Sequence, residues 1–419
     1  MHNFNADTSD DFFQSLSFDE IKARTDKYML DLFRRAPVAF RFGQGEYLYD
    51  TDNKQYIDFL CGIAVTSLGH GEADIIEAIR DQAERVIHTS NLFYNQEQAL
   101  LAEALVEHSF PGKVFFSNSG TEAIEAAFKL VRSYGQRAKD GATRMVSFEG
   151  SFHGRTIAGM CLTAQEKIHS GFGPLLRPED HAYLPRNDID ILEKEFEENG
   201  TNLCGLFIEL IQGEGGINVM DQAFMRRCRE LCDEYDVLLV ADEIQTGIGR
   251  TGKLFCFENY QITPDVMALA KGLGNGFPIG AIVVAEDYCD YLQRGQHGST
   301  FSGGHLATRV AFETVKIIMT RDILKNIPAL SDYFFQRLNA LKSKYKSVVD
   351  VRGIGLHIGV ELNQPCADVV TACRENGLLI NCTAENTIRI MPPLNISLER
   401  AAEGLSILEK VFAANTALH

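Results

Sequence analysis

Between about residue 73 and residue 310 the chain alternates two kinds of segment. Stretches such as ADIIEAIRDQAERV, from Ala73, and QALLAEALVEH, from Gln98, place apolar residues three and four apart with charges between them. That is the period of a helix with one buried face. Between the helices lie short runs with apolar centres: KVFFS, TRMVSF, CGLFIEL, VLLVADE, DVMALA and AIVVA. Runs without polar alternation are what strands covered on both faces look like. The pattern therefore predicts an α/β domain with a mostly parallel sheet flanked by helices.

The ends of the chain read differently. The residues before about position 40 predict an arm and a short helix. GEYLYDTDNKQYIDF then predicts a hairpin, with Tyr47–Tyr49 and Tyr56–Phe59 flanking a polar turn. Past residue 310 come ATRVAFETVKIIMT, VVDVRGIGLHIGVEL and short extended pieces around GLLINC and TIRIMPP, the pattern of a smaller α+β domain. The expected division is 1–72 (arm and hairpin, part of the small domain), 73–310 (large domain) and 311–419 (the rest of the small domain). No Pro- or Ser-rich linker marks the second boundary, which suits a helix running across it.

Charge narrows the partners. Forty Lys+Arg against 57 Asp+Glu leave a formal charge of −17 and a pI of about 5.1. Such a surface repels phosphate backbones and anionic lipid, so neither nucleic acid nor membrane is expected as a partner. No apolar run approaches the ~20 residues of a membrane span. The acidic opening, MHNFNADTSDDFFQSLSFDE, lacks the basic and apolar regions of a secretory signal, so a cytoplasmic protein is expected. Ten cysteines are scattered without a CxxC. Cys228 and Cys232 can share a helix face, but no further His or Cys nearby completes a tetrahedral set. Buried reduced thiols and no metal are expected.

Ligands of open α/β sheets bind beyond the carboxyl ends of the strands. After KVFF come Ser117-Asn118-Ser119-Gly120-Thr121-Glu122 and then a strong amphipathic helix, whose free N–H groups suit a phosphate. A Ser or Thr cap explains the same residues equally well. After VLLVA come Asp242 and Glu243, carboxylates at the mouth of a buried strand that need a cationic partner or donors. After DVMALA comes Lys271, wrapped in glycines. Burial lowers a lysine pKa and favours the neutral amine that forms Schiff bases. A phosphate cradle, an acid for a pyridine nitrogen and such a lysine are what a pyridoxal phosphate site needs. Gly247, Gly249 and Gly252 imitate a dinucleotide fingerprint, and with Lys253 nearly a P-loop. Both motifs need a helix next, and KLFCFENYQITPD is poorly helical.

The motifs SNSGTEAIEAAFKLVR, SFHGRT, ELIQGEGG, LLVADEIQTGIGRTG, ALAKGLGNGFPIGA and HGSTFSGG, in this order, resemble the class III aminotransferases of the pyridoxal-phosphate fold type I superfamily. The resemblance implies pyridoxal 5′-phosphate as cofactor and Lys271 as the lysine that carries it. It implies Gly120 and Thr121 in the phosphate loop, Phe152 and Ile244 on the two ring faces, Asp242 at the pyridine nitrogen and Gln245 at the 3′ oxygen. Thr300 resembles a residue that reaches the phosphate across a homodimer interface. Arg155 and Arg389 resemble the carboxylate clamps, and Glu214 the switch that covers Arg389 when a substrate has no carboxylate there. Within the class, GIAVTSLGH, HTSNLFYNQEQAL and GLLINCTAENTIRIMPPL are similar to acetylornithine aminotransferases. Ornithine aminotransferases carry tyrosines where Ile63 stands and near Phe33; their absence suits an acylated nitrogen. The implied reaction moves the δ-amino group of N-acetylornithine to 2-oxoglutarate, with the α-carboxylate at Arg155 and Ser299 adding a hydrogen bond. Related acyl-diamines, ornithine or 4-aminobutyrate keep the chemistry and change the substrate. A glutamate-semialdehyde aminomutase and a non-catalytic cofactor-binding protein are the other classes in view. Leu210, Asn275, Gly71–Ala73 and Ser302–His305 depart from the family pattern.

Overall fold

The computed structural model describes residues 16–173 and 177–414, so most of the acidic opening, residues 1–15, lies outside the described residues. The expected short helix is Phe18–Tyr28, capped by Ser17 and Glu20. Three strands follow: β1 (Phe40–Gln44), β2 (Tyr47–Asp50) and β3 (Gln55–Asp58). β2 and β3 are the expected hairpin, with Leu48 opposite Tyr56. β1 is an addition at the edge; its FRFGQ is mostly exposed and has no apolar run to announce it.

Each apolar run of the large central region is a strand. In chain order these are β4 (Gly112–Ser117), β5 (Arg144–Phe148), β6 (His181–Leu184), β7 (Leu203–Ile208), the short ribbon β8 (Ile211–Gln212) with β9 (Asn218–Val219), β10 (Leu238–Asp242), β11 (Val266–Leu269) and β12 (Gly280–Ala285). Seven of them form one sheet in the order β4-β12-β11-β10-β7-β5-β6. β12 runs antiparallel to both neighbours, and the other six point the same way. Among the seven strands of this sheet, β6, a partly exposed edge strand of sequence HAYL, is the one without a counterpart among the apolar runs; the short β8 and β9 have none either.

All residues of β7, β10 and β11 are buried, as runs covered on both faces must be. On one face the helix Gly120–Ala138 packs Ile124, Leu130 and Val131 against Phe207, Leu238 and Val240. On the other, Phe148, Phe224 and Met267 join a core that continues into the C-terminal third. Because six strands are parallel, their carboxyl ends share one edge. Residues 117–121, 149–155, 209–214, 242–245 and 270–271 all leave the sheet there.

The helix His305–Thr320 runs across residue 310, and Ile323–Lys344 follows. Then come β13 (Val348–Ile354), β14 (His357–Leu362), β15 (Leu378–Leu379), β16 (Asn381–Thr383), β17 (Thr387–Ile390) and the helix Leu398–Ala414. β13-β14-β17-β16 make an antiparallel sheet, while β15 joins β3 in parallel, with Leu378 opposite Ile57. Early and late parts of the chain thus share a sheet. None of the described helices is long and apolar enough to cross a membrane.

Cys366 and Cys382 form a disulfide, with Cα atoms 5.8 Å apart, which corrects the expectation of reduced thiols throughout. Cys366 precedes the helix Ala367–Glu375 and Cys382 lies on β16; that helix folds back over the strand, a contact their spacing does not announce. Eight cysteines are free, and Cys228 and Cys232 are buried among them. Alkylation of the unfolded, unreduced protein is therefore expected to modify eight thiols, and ten after reduction. Ten in both samples would remove the bridge.

Candidate active site

The strand edge opens into a cavity of about 440 Å³. Gly120, Thr121, Phe152, Arg155, Glu214, Asp242, Ile244, Gln245 and Lys271, all singled out in the sequence, line it together. This convergence follows from the parallel sheet, because each residue lies within a few positions of a strand's carboxyl end.

Lys271 follows β11 in a left-handed backbone conformation, φ 46°, which a non-glycine residue holds only at a cost. It is the one lysine on the cavity wall, and its amine has no hydrogen bond or ion pair among the described residues. Burial, then the nearby Arg389 charge, pull its pKa down to about 8, against the opposing effect of Glu214 and Asp242.

Asp242 ends β10 and is 5% exposed. Its Oδ1 accepts from the Ile244 amide, and its Oδ2 lies 2.7 Å from His153 Nδ1. Burial opposes charge on His153, but the hydrogen bond and charge of Asp242, with Glu209, outweigh it and hold the imidazole above its usual range. A polar partner for Asp242 is thus supplied by the protein itself, at His153 Nδ1. His153 was not singled out in the sequence; its only signal is its place between Phe152 and Gly154 in SFHGRT. Its buried Nε2 has no partner. Glu243 plays a different part. It turns away from the cavity and accepts from the Cys256 and Phe257 amides at 2.6 and 2.7 Å, while burial pushes its pKa up to about 8.

The helix Gly120–Ala138 opens on the cavity with Ser119 as its cap. Its first N–H groups are not used by the helix itself and suit an anion. A side chain at Gly120 would meet Ile244 Cγ2 at 2.9 Å, so the glycine keeps this wall close to Ile244. Thr121 Oγ1 accepts from the Arg155 and Thr156 amides, tying the SFHGRT loop to the helix start. Glu209 does the same for a second loop: its carboxylate accepts from the Phe152 amide at 2.9 Å and the Gly213 amide at 3.3 Å. Burial pushes Glu209 up to about 7. Glu209 was also missed, since nothing in ELIQGEGG distinguishes it from a strand-end acid.

Arg389, on β17, is fully buried. Its Nη1 lies 2.5 Å from Glu214 Oε1 and 3.3 Å from Gln245 Oε1, and its Nε donates to Asn381 at 3.1 Å. It stands behind Glu214 and Gln245, which line the cavity where Arg389 itself does not. Glu214 sits in the turn between β8 and β9, with its carbonyl accepting from Thr383 Oγ1 at 2.6 Å. Burial would raise its pKa, but Arg389, and more weakly Lys271, hold it below the usual carboxylate value.

Arg155 is exposed and lies over the Phe152 ring, 5.5 Å from its centroid, with no carboxylate partner among the described residues. Ser299 accepts from Asn118 Nδ2 at 2.9 Å, and Asn118 lines the cavity; Ser299 itself and Thr300 are exposed and lie outside it. Ile63 belongs to a run, Cys61–Ala64, of positive φ that leads into Val65 on the cavity wall. For a β-branched residue that conformation is strained, and Asp58 Oδ1 braces it by accepting from the Leu60 and Cys61 amides. Asn275 takes φ 43°, tolerable for asparagine, and its side chain accepts from the Leu68 amide. Gly252 leads into turns and a 3₁₀ segment, Cys256–Tyr260, not the helix a nucleotide loop requires.

A buried acid, a lysine poised to lose its proton, a helix N-terminus and two guanidinium groups can hold a flat anionic group and a carboxylate-bearing substrate together. The model for the class III aminotransferases matches residues 34–412. The chain is 43% identical over 389 residues to the acetylornithine aminotransferase of Caldanaerobacter subterraneus, covering 92% of this chain and 98% of that protein. It is 44% identical over 386 residues to that of Aquifex aeolicus, covering 92% and 99%. Among solved structures, the ornithine aminotransferase of Toxoplasma gondii superposes with a TM-score of 0.92 at 30% identity, covering 97% of each chain. The acetylornithine aminotransferase of Elizabethkingia anophelis superposes with a TM-score of 0.85 at 29% identity, covering 96% of this chain and 100% of that one.

Proposed function

This chain belongs to the class III aminotransferases, and on that premise we propose that it moves the terminal amino group of N-acetylornithine to 2-oxoglutarate. The products are N-acetylglutamate semialdehyde and glutamate, a step of arginine biosynthesis in the cytoplasm. The class depends on pyridoxal phosphate, and the cavity fits it: an unpartnered lysine amine, a buried acid and a helix N-terminus face one space closed in by Ile244. When bound, the cofactor's protonated ring accepts the electron pair released at the substrate carbon.

The rest of the mechanism belongs to side chains of this protein. Lys271 would hold the cofactor, and its Nζ would take the proton from the amine-bearing carbon of the substrate; a pKa of about 8 leaves a useful neutral fraction near neutral pH. Asp242, oriented by His153, holds the proton on the ring nitrogen. Phe152 and Ile244 would confine the ring, Gln245 would donate to its 3′ oxygen, and Gly120 and Thr121 would offer amides to the phosphate. Thr300, exposed in a single chain, completes that phosphate site from the second subunit of a homodimer.

Substrate order rests on the two arginines. Arg155 grips the α-carboxylate of N-acetylornithine, with Ser299 adding a hydrogen bond. That substrate has no carboxylate beside its reacting carbon, and Glu214 neutralises Arg389 in its place. 2-Oxoglutarate brings its own carboxylate and displaces Glu214, since a guanidinium binds either through parallel hydrogen bonds. The Glu214–Arg389 pair is the observation that supports the reading, because a guanidinium already covered by a carboxylate suits amines that bring none there.

The test is a half-reaction panel that follows bleaching of the bound cofactor with N-acetylornithine, ornithine, 4-aminobutyrate and succinylornithine. N-Acetylornithine is expected to outrun ornithine and 4-aminobutyrate by about tenfold or more, the size of one lost polar contact to substrate. Ornithine or 4-aminobutyrate as the fastest donor would replace the substrate. Turnover of glutamate semialdehyde without any keto acid would replace the reaction class.

A further inference from the structure

His357, on β14, is completely buried, and the catalytic roles above leave it unused. Its Nε2 lies 2.8 Å from Gln245 Oε1, across 112 residues of sequence. Arg389 Nη1 donates to that same oxygen at 3.3 Å. A guanidinium has donors only, so the atom Gln245 turns toward Arg389 is its carbonyl oxygen. A second neighbour at that oxygen must also donate, so the proton of the neutral imidazole sits on Nε2. His357 Nδ1, buried and without a partner among the described residues, then keeps the lone pair. Burial, with Arg389, Arg250 and Lys271 close by, drives the imidazole well below its usual pKa, in keeping with that neutral form. With its oxygen held by two donors, the Gln245 amide has one orientation, and its NH₂ faces Glu214 and the cavity.

We propose that His357 is a positioning residue for the carboxylate exchange at Arg389, acting through Gln245. This rests on the reading of Arg389 and Glu214 given above. When Glu214 leaves, Arg389 loses its only anionic partner among the described residues but retains two neutral acceptors, Gln245 Oε1 and Asn381 Oδ1. Those keep the guanidinium in place, with Nη2, which has no partner among the described residues, and the vacated side of Nη1 turned to the incoming carboxylate. His357 keeps the first of them from following Glu214. Without its proton on Oε1, the amide is free to rotate and set NH₂ against the guanidinium, donor against donor. Gln245 would then hold neither Arg389 nor the cofactor side of the cavity.

The test measures the affinity of the cofactor-loaded protein for glutarate, a dicarboxylate that cannot react, by calorimetry. His357→Leu is expected to weaken glutarate about fivefold, the worth of one ordinary buried hydrogen bond. His357→Gln, which places an amide donor near the same point, is expected to restore binding to within about twofold. In a Gln245→Ala background, His357→Leu is expected to add nothing, because its effect runs through the missing amide. Unchanged affinity in His357→Leu overturns the proposal. So does a loss that His357→Gln fails to rescue, or one that persists in full in the Gln245→Ala background, since either marks a packing defect. If the parent protein binds cofactor but no glutarate, the reading of Arg389 fails and takes this inference with it.

Discussion

Lys271→Ala is expected to lower transamination by about 10³-fold or more, at the upper range for loss of a positioned acid–base group that also carries the cofactor. No second lysine lines the cavity, so no neighbouring amine stands in. The variant is expected to bind pyridoxal phosphate through Asp242 and the Gly120 helix end, but without the absorption band of the lysine-bound form. An unchanged band would defeat the assignment. The fold should survive, because the Lys271 amine makes no hydrogen bond or ion pair among the described residues. The folded-state pKa is about 8, below the 10.5 of a free lysine, so the unfolded chain binds the proton more tightly. Cofactor-free parent protein should therefore gain stability as pH rises between those values, and Lys271→Ala should lose that dependence. Thermal melts of both cofactor-free proteins across that window check it. Parallel curves would mean that the amine is not buried as described.

Glu214→Ala is expected to separate the two half-reactions. It uncovers a fully buried guanidinium, which then holds an uncompensated charge whenever the bound substrate brings no carboxylate. Removing one member of a buried pair costs about 3–5 kcal/mol where the partner stays dry. Glu214 is partly exposed and water can take its place, so the smaller part of that range is the better guide. The acetylornithine half-reaction should slow by about a hundredfold. The glutamate half-reaction, which supplies its own carboxylate, should change far less, and apparent affinity for 2-oxoglutarate should rise. Single-turnover kinetics in both directions decide the matter. Equal losses would mean that Glu214 is a structural partner of Arg389 and no switch.

Both predictions rest on residues that could be read from the chain itself, and the physical reason is the parallel sheet. Short apolar runs between amphipathic helices specify strands that point one way, and such strands bring their carboxyl ends to one edge. Gly120, Asp242 and Lys271 stand just past three of those runs, so their meeting follows from the pattern. The motifs around them carried the family and its cofactor. β1 and β6 escaped because edge strands need no apolar run.

What the tertiary structure alone decided is how side chains from distant segments pair. His153 meets Asp242 across 89 residues, His357 meets Gln245 across 112, and Glu209 ties the Phe152 amide to the Gly213 turn. Cys366 reaches Cys382 only because a helix folds back onto β16. No periodicity encodes these contacts. Periodicity reports which face of an element is buried, and it says nothing of which polar atoms are buried opposite one another. That depends on strand register and rotamer, settled only when the segments have packed and each buried donor has had to find an acceptor.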